Sequence, residues 1–391
     1  MGAMTILTLQ NYYLPGHRGG GCIRAVSNLV AALGSEFDFR IVCNDRDLGV
    51  TEPYTGVRTG DWSRVGPGQV HYTGPRAVTD TIRRLLREPG HDIVYLNSIF
   101  ERRYAMWPLL LRRMGMVRDV PFVVAPRGEL GGNALLIRGG RKRAYLSAAA
   151  RLGWLDRLTW HATSHTELAE IERFLSDYRI EGRVVRADDL VTAGPLTGVH
   201  REPKQPGRAR IVYLSRIVPK KNLDFAIRVL REVRGAVEFD IYGPREDAAY
   251  WAKCENEIRA LPSNVVVRYQ GIAAHEDVVR ILGGYDLFFF PTLNENFGYA
   301  IFEALRGGCP VLLSDQTPWG PVAEAGAGWA LPLADVRGFV RAIEEVAARG
   351  ESGQQEQSER AAGFASRMAA NQMAIEDHRR LFKGAERIPC P

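Results

Sequence analysis

The feature that most constrains the fold is an alternation of strand and helix that runs, breaks and starts again. TILTLQ leads through a glycine-rich loop, YLPGHRGGG (13–21), into CIRAVSNLVAALG (22–34), whose apolar residues recur at helical spacing and which stops at Gly34. FDFRIVC, DIVYLNS and FVVAPRG follow as strand runs, with helical stretches such as AVTDTIRRLLRE (77–88) between them. Such repetition builds a largely parallel sheet with helices on its faces. The pattern breaks at HREPKQPGRAR (200–210), which is rich in Pro, Gly and Arg and reads as a linker, then resumes at RIVYLS, NLDFAIRVLREV and VEFDIYG. At 391 residues the chain exceeds what one core usually supports. Two α/β domains, 1–200 and 201–370, are therefore expected on either side of a cleft, with 371–391 a helix crossing back to the first. GESGQQEQSERAAG (350–363) reads as an exposed polar connection into that helix.

Composition removes several classes. The chain is 46% hydrophobic and 25% charged, as globular proteins are, and no apolar run approaches a membrane-spanning length. MGAM runs straight into a strand, so no secretory leader is expected. Five cysteines (Cys22, Cys43, Cys254, Cys309, Cys390) show no metal-ligand spacing and suit a reducing compartment, with Cys43 and Cys309 in apolar, core-like settings. His161 and His165 are four apart in WHATSHTE, which a helix would place on one face, but no third ligand adjoins them and no metal site is expected. The D-x-D segment Asp45-Arg46-Asp47 reads as a polar turn.

Charge is unevenly placed. Residues 101–157 hold twelve Arg or Lys against four Asp or Glu, an excess larger than the +6 of the whole chain. Such a patch favours an anionic surface or ligand. Within it, GGRKRAYLSAAARLGWL (139–155) mixes cations with Leu, Tyr and Trp, as a helix lying on a membrane surface does, although a solvated helix fits the same charges. No nucleic-acid-binding module is present, so no nucleic-acid partner is expected.

Ligands of parallel sheets bind where strands end and helices begin. Three loops meet that description. PGHRGGG offers backbone N–H groups to an anion, or is simply a tight turn. SRIVPKKN (215–222) places Arg216, Lys220 and Lys221 after a strand, suiting a diphosphate without a metal, or is a solvated turn. In NENFGYAIFEALRGG (294–308), Glu295 lies in a loop and Glu303 about one turn into a helix that starts around Phe297 to Tyr299. Were the segment wholly helical, the two carboxylates would lie about 12 Å apart along the axis and roughly 80° around it, too far for a pair sharing a proton. They read better as clamps at opposite ends of a long ligand: Glu303 accepting from a cis-diol, Glu295 reaching past an anion held over the helix N-terminus.

GGGCIRAVSNLVAALG, SRIVPKKN, DIYGP and PTLNENFGYAIFEALRGGCPVLLSD together resemble the family 4 glycosyltransferases, which have the GT-B fold of two Rossmann-like domains facing a central cleft. The resemblance spans the chain and is strongest from 208 to 320. It implies a retaining, metal-independent transfer from a nucleotide-diphosphate sugar, UDP- or GDP-linked, with no further cofactor. Arg216 and Lys221 would bind the diphosphate, and Glu303 the ribose hydroxyls. Glu295, with the backbone of Asn296, Phe297 and Gly298, would hold the sugar, orienting it or stabilising charge at its anomeric carbon. Gly20 and Gly21 would pack against donor or acceptor, and the base would sit near Ile272, after Gly271. Many relatives carry a His-Gly pair where VVAPRGEL places Arg127, so that histidine's role does not pass to it. The implied acceptor is a glycan, lipid-linked or small-molecule hydroxyl, in bacterial surface-polysaccharide or glycoconjugate assembly. The implied location is the cytoplasm or, through residues 101–157, the inner face of the membrane. Two other readings stay open: a nucleotide-sugar epimerase on the same fold, and a non-catalytic membrane-binding module.

Overall fold

The computed structural model describes residues 2–131, 139–191 and 199–385. The chain divides into two units, Met1–Thr192 with Asn371–Pro391, and Ala193–Ala370.

The first unit is built on an eight-stranded sheet of β1 (Met4–Leu9), β2 (Phe37–Asn44), β3 (Trp62–Val65), β4 (Gly68–Thr73), β5 (Ile93–Asn97), β6 (Phe122–Ala125), β7 (Leu158–Ala162) and β8 (Gly182–Arg186). Their order is β3-β4-β2-β1-β5-β6-β7-β8, and every pairing is parallel except that of β3 with β4. β5 (IVYLN) and β6 (FVVA) are near-continuous apolar runs because both faces are covered. Helices Val78–Arg87, Trp107–Arg113, Gly139–Arg151 and His165–Tyr178 cover one face, through Ile82, Leu109, Leu146 and Ile171 among others. Helices Gly21–Leu33 and Gln372–Lys383 cover the other, where the ring of Phe382 meets Phe37, Phe39 and Tyr95 edge-on at 5.5 to 6.0 Å.

The second unit carries a six-stranded, wholly parallel sheet of β9 (Arg208–Leu214), β10 (Ala236–Tyr242), β11 (Val265–Gly271), β12 (Leu287–Phe290), β13 (Val311–Ser314) and β14 (Gly328–Leu331), in the order β11-β10-β9-β12-β13-β14. The order reverses between β9 and β12, where the loops leave toward opposite faces and open a crevice at the strand ends.

Two readings of the sequence, the 350–363 connection and the His161–His165 helix face, are corrected here. Residues 350–363 are not an exposed connection: Glu351–Ala369 is one helix, and Gln354, Gln357, Ala361 and Ala365 turn inward at helical spacing. Glutamine hid the period, because its amide can be buried once bonded, as Gln354 is to the Asp286 carbonyl at 3.0 Å. The 200–210 stretch is bonded to its own unit, Arg201 donating to the carbonyls of Gly283 (3.2 Å) and Gly308 (2.7 Å), and the buried Lys204 amine to those of Gln205 and Arg208. His161 and His165 share no helix face: His161 is buried in β7, and His165 opens the helix that follows. Helix Gly139–Arg151 turns Leu146 and Ala149 into the core and keeps Arg141, Arg143 and Arg151 exposed.

The basic excess of 101–157 also has local employment. Arg112 donates to the carbonyls of Asp156 and Arg157, Arg113 to Leu152, Arg118 to His91 and Arg103 to Pro75, all at 2.7 to 3.1 Å. Of these acceptors only Leu152 adjoins a helix end, and the others are carbonyls of connecting loops that would otherwise lack a partner. Among the described residues no helix is long and apolar enough to cross a membrane, and no group of three or more His, Cys, Asp or Glu could hold a metal.

Buried histidines make the first unit acid-sensitive. Burial pushes His378 and His91 down to about 4, and holds His161 well below its ordinary value. Each is neutral when folded and takes up a proton on unfolding below about 6.5, so the stability it contributes is present above that pH and lost as the pH falls toward 4. Thermal melts are expected to drop steeply across that window, and His378→Gln to flatten the slope. In the second unit Gly243 has φ 138°, and an added Cβ would meet the Ser215 carbonyl oxygen at 1.8 Å. Gly243→Ala is expected to cost more than about 2 kcal/mol, read as a lowered melting temperature.

Candidate active site

The crevice beside β9 and β12 is flanked by the loops that follow those strands, and short-range chemistry joins them. After β9 the chain makes a tight turn, Pro219–Lys221, and Asn222 takes a left-handed conformation (φ 59°) that starts helix Leu223–Leu230. The Asn222 amide donates to the Pro291 carbonyl at 2.9 Å. The Lys220 carbonyl accepts from the Leu293 N–H at 2.9 Å and the Thr292 hydroxyl at 3.1 Å. Across this seam the Lys221 amine pairs with the Glu295 carboxylate, their side chains 11% and 17% exposed, and the amine lies 5.3 Å over the Phe290 ring. A largely desolvated pair of this kind interacts far more strongly than a surface one.

The Glu295 loop is shaped from both sides. The Glu295 N–H donates to the Gln316 carbonyl at 3.0 Å. The Trp319 indole donates to the Phe297 carbonyl, with the two rings edge-on at 5.3 Å. Gly298 has φ 85°, and a Cβ there would come within 2.9 Å of the Glu295 side chain, so glycine is what lets this glutamate fold back over the turn. Helix Tyr299–Arg306 then begins with no side-chain cap. Its first turn therefore presents positive N–H ends at the same strand edge as Lys221.

Glu303 stands inside that helix, 15% exposed, with His275 Nδ1 at 3.9 Å from its carboxylate. His275 belongs to a short turn, His275–Asp277, reached from β11 through Gly271 (φ 84°) and the half-exposed Ile272. Arg216, more exposed, pairs with Glu246 at 3.2 Å. Lys221 and Glu295 are thus in contact, Glu303 faces a different partner, and Arg216 is held on the loop after β9 by an acid of the loop after β10. His275 was not singled out from sequence: HED carries no motif, and only the return of the chain after β11 sets it beside Glu303.

In the first turn of helix Leu223–Leu230 stands Asp224, which burial raises but hydrogen bonds from Lys253, Tyr250 and Arg228 bring down to about 2. It ties helix Leu223–Leu230 to helix Ala248–Arg259.

In the first unit, Gly20 (φ 64°, ψ −134°) and Gly21 open helix Gly21–Leu33, also without a side-chain cap. Arg127, in a left-handed conformation (φ 56°), turns into the unit: its guanidinium pairs with Asp189 and donates to Asn97 Oδ1 (3.0 to 3.2 Å) and the Tyr95 hydroxyl (2.9 Å), both partners of the pair being under a tenth exposed. Tyr95 in turn meets His161 Nδ1 at 2.8 Å. Removing Asp189 would strand a buried guanidinium. Asp189→Ala is expected to destabilise by about 3–5 kcal/mol, and the double change with Arg127→Met by clearly less, as unfolding experiments on both variants would show.

Residues 208–349 match the family model described as "Glycosyl transferases group 1", and residues 20–187 the model described as "Glycosyl transferase 4-like domain". Among solved structures, sucrose-phosphate synthase from Thermosynechococcus elongatus aligns with a TM-score of 0.70 at 14% identity, over 97% of this chain and 100% of that one. HepE of Anabaena, solved in complex with UDP and glucose, aligns at 0.65 and 14%, over 97% and 99%. WaaG, a glycosyltransferase involved in lipopolysaccharide biosynthesis, aligns at 0.62 and 13%, over 95% and 98%. At these identities the likeness is one of fold. A comparison with curated protein sequences finds no match.

Proposed function

We propose, for a chain that belongs to the family 4 glycosyltransferases and has the GT-B fold, that it transfers a sugar from a nucleotide-diphosphate sugar to an acceptor hydroxyl, with retention and without a metal. The observation that carries this reading is the Lys221–Glu295 pair beside an uncapped helix N-terminus at the crevice of a parallel sheet. Lys221 and the helix N–H groups offer fixed positive charge to a diphosphate, which is where negative charge grows as the sugar departs. Arg216, on the same loop as Lys221, adds a second cation. Glu295 already touches the cation that would bind the diphosphate, so it lies within reach of the next group along, the sugar, where the backbone of Asn296, Phe297 and Gly298 also runs. Glu303, a helix-borne carboxylate, takes the ribose hydroxyls, and the base lies by Ile272.

In this reading, the departing diphosphate oxygen takes the proton of the acceptor hydroxyl as the new bond forms on the face the leaving group vacates. No side chain need act as base, and no cofactor is needed. The UDP held by HepE supports a UDP-linked donor, with GDP the competing choice. The lipopolysaccharide role of WaaG supports a glycan or lipid-linked acceptor in surface-glycan assembly, worked on from the cytoplasmic side. Contact with an anionic membrane is supported by the exposed Arg141, Arg143 and Arg151 and by Met114 and Leu152, 59% and 53% exposed.

Three measurements test this. A thermal-shift screen of UDP-, GDP- and dTDP-sugars is expected to show stabilisation by one nucleotide class, unchanged by a chelator. Lys221→Ala is expected to lower kcat by about 10²–10³-fold. Glu303→Ala is expected to weaken donor binding by about tenfold to a hundredfold, the loss of two bonds to a charged acceptor. Wild-type rates in both variants would end the assignment, and donor turnover without any acceptor would point to the epimerase. Sedimentation with anionic vesicles at low salt, reversed by high salt, tests the membrane contact.

A further inference from the structure

The Asp45-Arg46-Asp47 segment is a polar turn whose two carboxylates are buried, Asp45 and Asp47 being 2% and 6% exposed. The two carboxylates do not converge. Asp45 bonds Arg46 Nε at 2.8 Å and the Thr59 hydroxyl at 3.2 Å. Asp47 reaches elsewhere, into the glycine-rich loop. Its Oδ2 accepts from two consecutive backbone N–H groups, His17 at 2.8 Å and Arg18 at 3.0 Å, and the His17 ring lies 3.7 Å away. Its Oδ1 accepts from the Leu48 N–H at 2.8 Å, which holds the carboxylate itself in place.

Neighbouring contacts act in the same sense. The Tyr72 hydroxyl donates to the Leu14 carbonyl at 2.6 Å, and the Tyr54 N–H to the Asp45 carbonyl at 2.7 Å. The Tyr54 hydroxyl is so close over Gly16 that a Cβ there would meet it at 2.2 Å. The loop is thus gripped from Leu14 to Arg18, immediately before Gly19, Gly20 and Gly21, whose backbone has the most freedom to lose.

We propose that Asp47 is a positioning residue for sugar transfer: through the His17 and Arg18 N–H groups it sets the glycine-rich loop, so that the Gly20–Gly21 backbone can approach a substrate closely. Two adjacent N–H groups converging on one oxygen form an anion-binding concavity, here filled by the protein's own carboxylate. The inference rests on the transferase reading above. Displacing a substrate-facing group by about 1 Å can cost about a hundredfold in rate, which sets the scale of the effect.

The test uses the full chain with Asp47→Ala and Asp47→Asn, measuring kcat and KM, affinity for the free nucleoside diphosphate (UDP and GDP), and amide exchange over residues 14–21. Asp47→Ala is expected to speed exchange in that segment alone and lower kcat by about 10–100-fold. It is also expected to leave nucleoside-diphosphate affinity within about twofold, because the loops proposed to hold that ligand belong to the other unit. Asp47→Asn keeps an oxygen that can accept both loop bonds but sets its amide nitrogen against the Leu48 N–H, and is expected to recover part of the lost rate. The proposal is overturned by wild-type kcat in Asp47→Ala, by unchanged exchange, or by Asp47→Asn being as impaired as Asp47→Ala. Should Asp47→Ala fail to fold, Asp47→Ser, too short to reach both N–H groups, takes its place with the same expectations. If the wild-type chain moves no sugar from any nucleotide donor, the transferase reading fails, and the exchange data alone decide whether Asp47 holds the loop.

Discussion

The second unit depends on one seam, the Lys221–Glu295 pair with the Lys220 carbonyl bonds beneath it. The strand order makes β9 and β12 neighbours although two strands and three α-helices intervene in sequence. Their loops would otherwise diverge, as connections at a reversal of strand order do. A carbonyl accepting two bonds, an asparagine in a left-handed turn and a half-buried ion pair close the gap instead. Each member of the pair is costly without the other, because an unpaired charge at this depth has little water to turn to. In the transfer proposed above, the donor diphosphate takes a share of Lys221 from Glu295.

The first unit follows a related plan with different chemistry. Polar groups beneath the strand ends are buried in mutual satisfaction: Arg127 with Asp189, Asn97 and Tyr95, then Tyr95 with His161. Glu129 sits close by, its carboxyl raised by burial yet bonded to Ser98 and the Ile99 N–H. These bonds hold the loops after β5, β6 and β8 to a rigid floor. Arg127 is engaged inward by that floor, which is a physical reason not to read it as a stand-in for a substrate-contacting histidine. The two units thus share an architecture, while their strand-end loops are braced by different charges.

How much was legible followed from how local the physics was. Parallel strands covered on both faces must be apolar throughout, so IVYLN and LFFF announce themselves. The helix beginning near Tyr299 was visible because Gly298 and the apolar spacing beyond it are local signals. Charged residues were read less well. The excess of arginine in 101–157 suggested a surface for an anion, whereas Arg112, Arg113 and Arg118 donate to carbonyls 27 to 45 positions away in sequence. Gln354 hid a helix for the same reason: a polar side chain's partner decides whether it is buried, and that partner, the Asp286 carbonyl, lies elsewhere in the chain.

The sequence by itself determined the class of architecture, two series of strand and helix, and it determined the chemical inventory of the site: three cations in SRIVPKKN and two glutamates eight apart. Those features are set by the period of apolar residues and by residue type, which need no third dimension. Only the tertiary structure decided who meets whom. It put Glu295 on Lys221 and Glu303 by His275, and it made Asp47, in a polar turn, the support of a glycine loop thirty residues upstream. The physical reason is that a charge's role is fixed by its desolvation and its partner, and both are supplied by strand order rather than by neighbours in sequence.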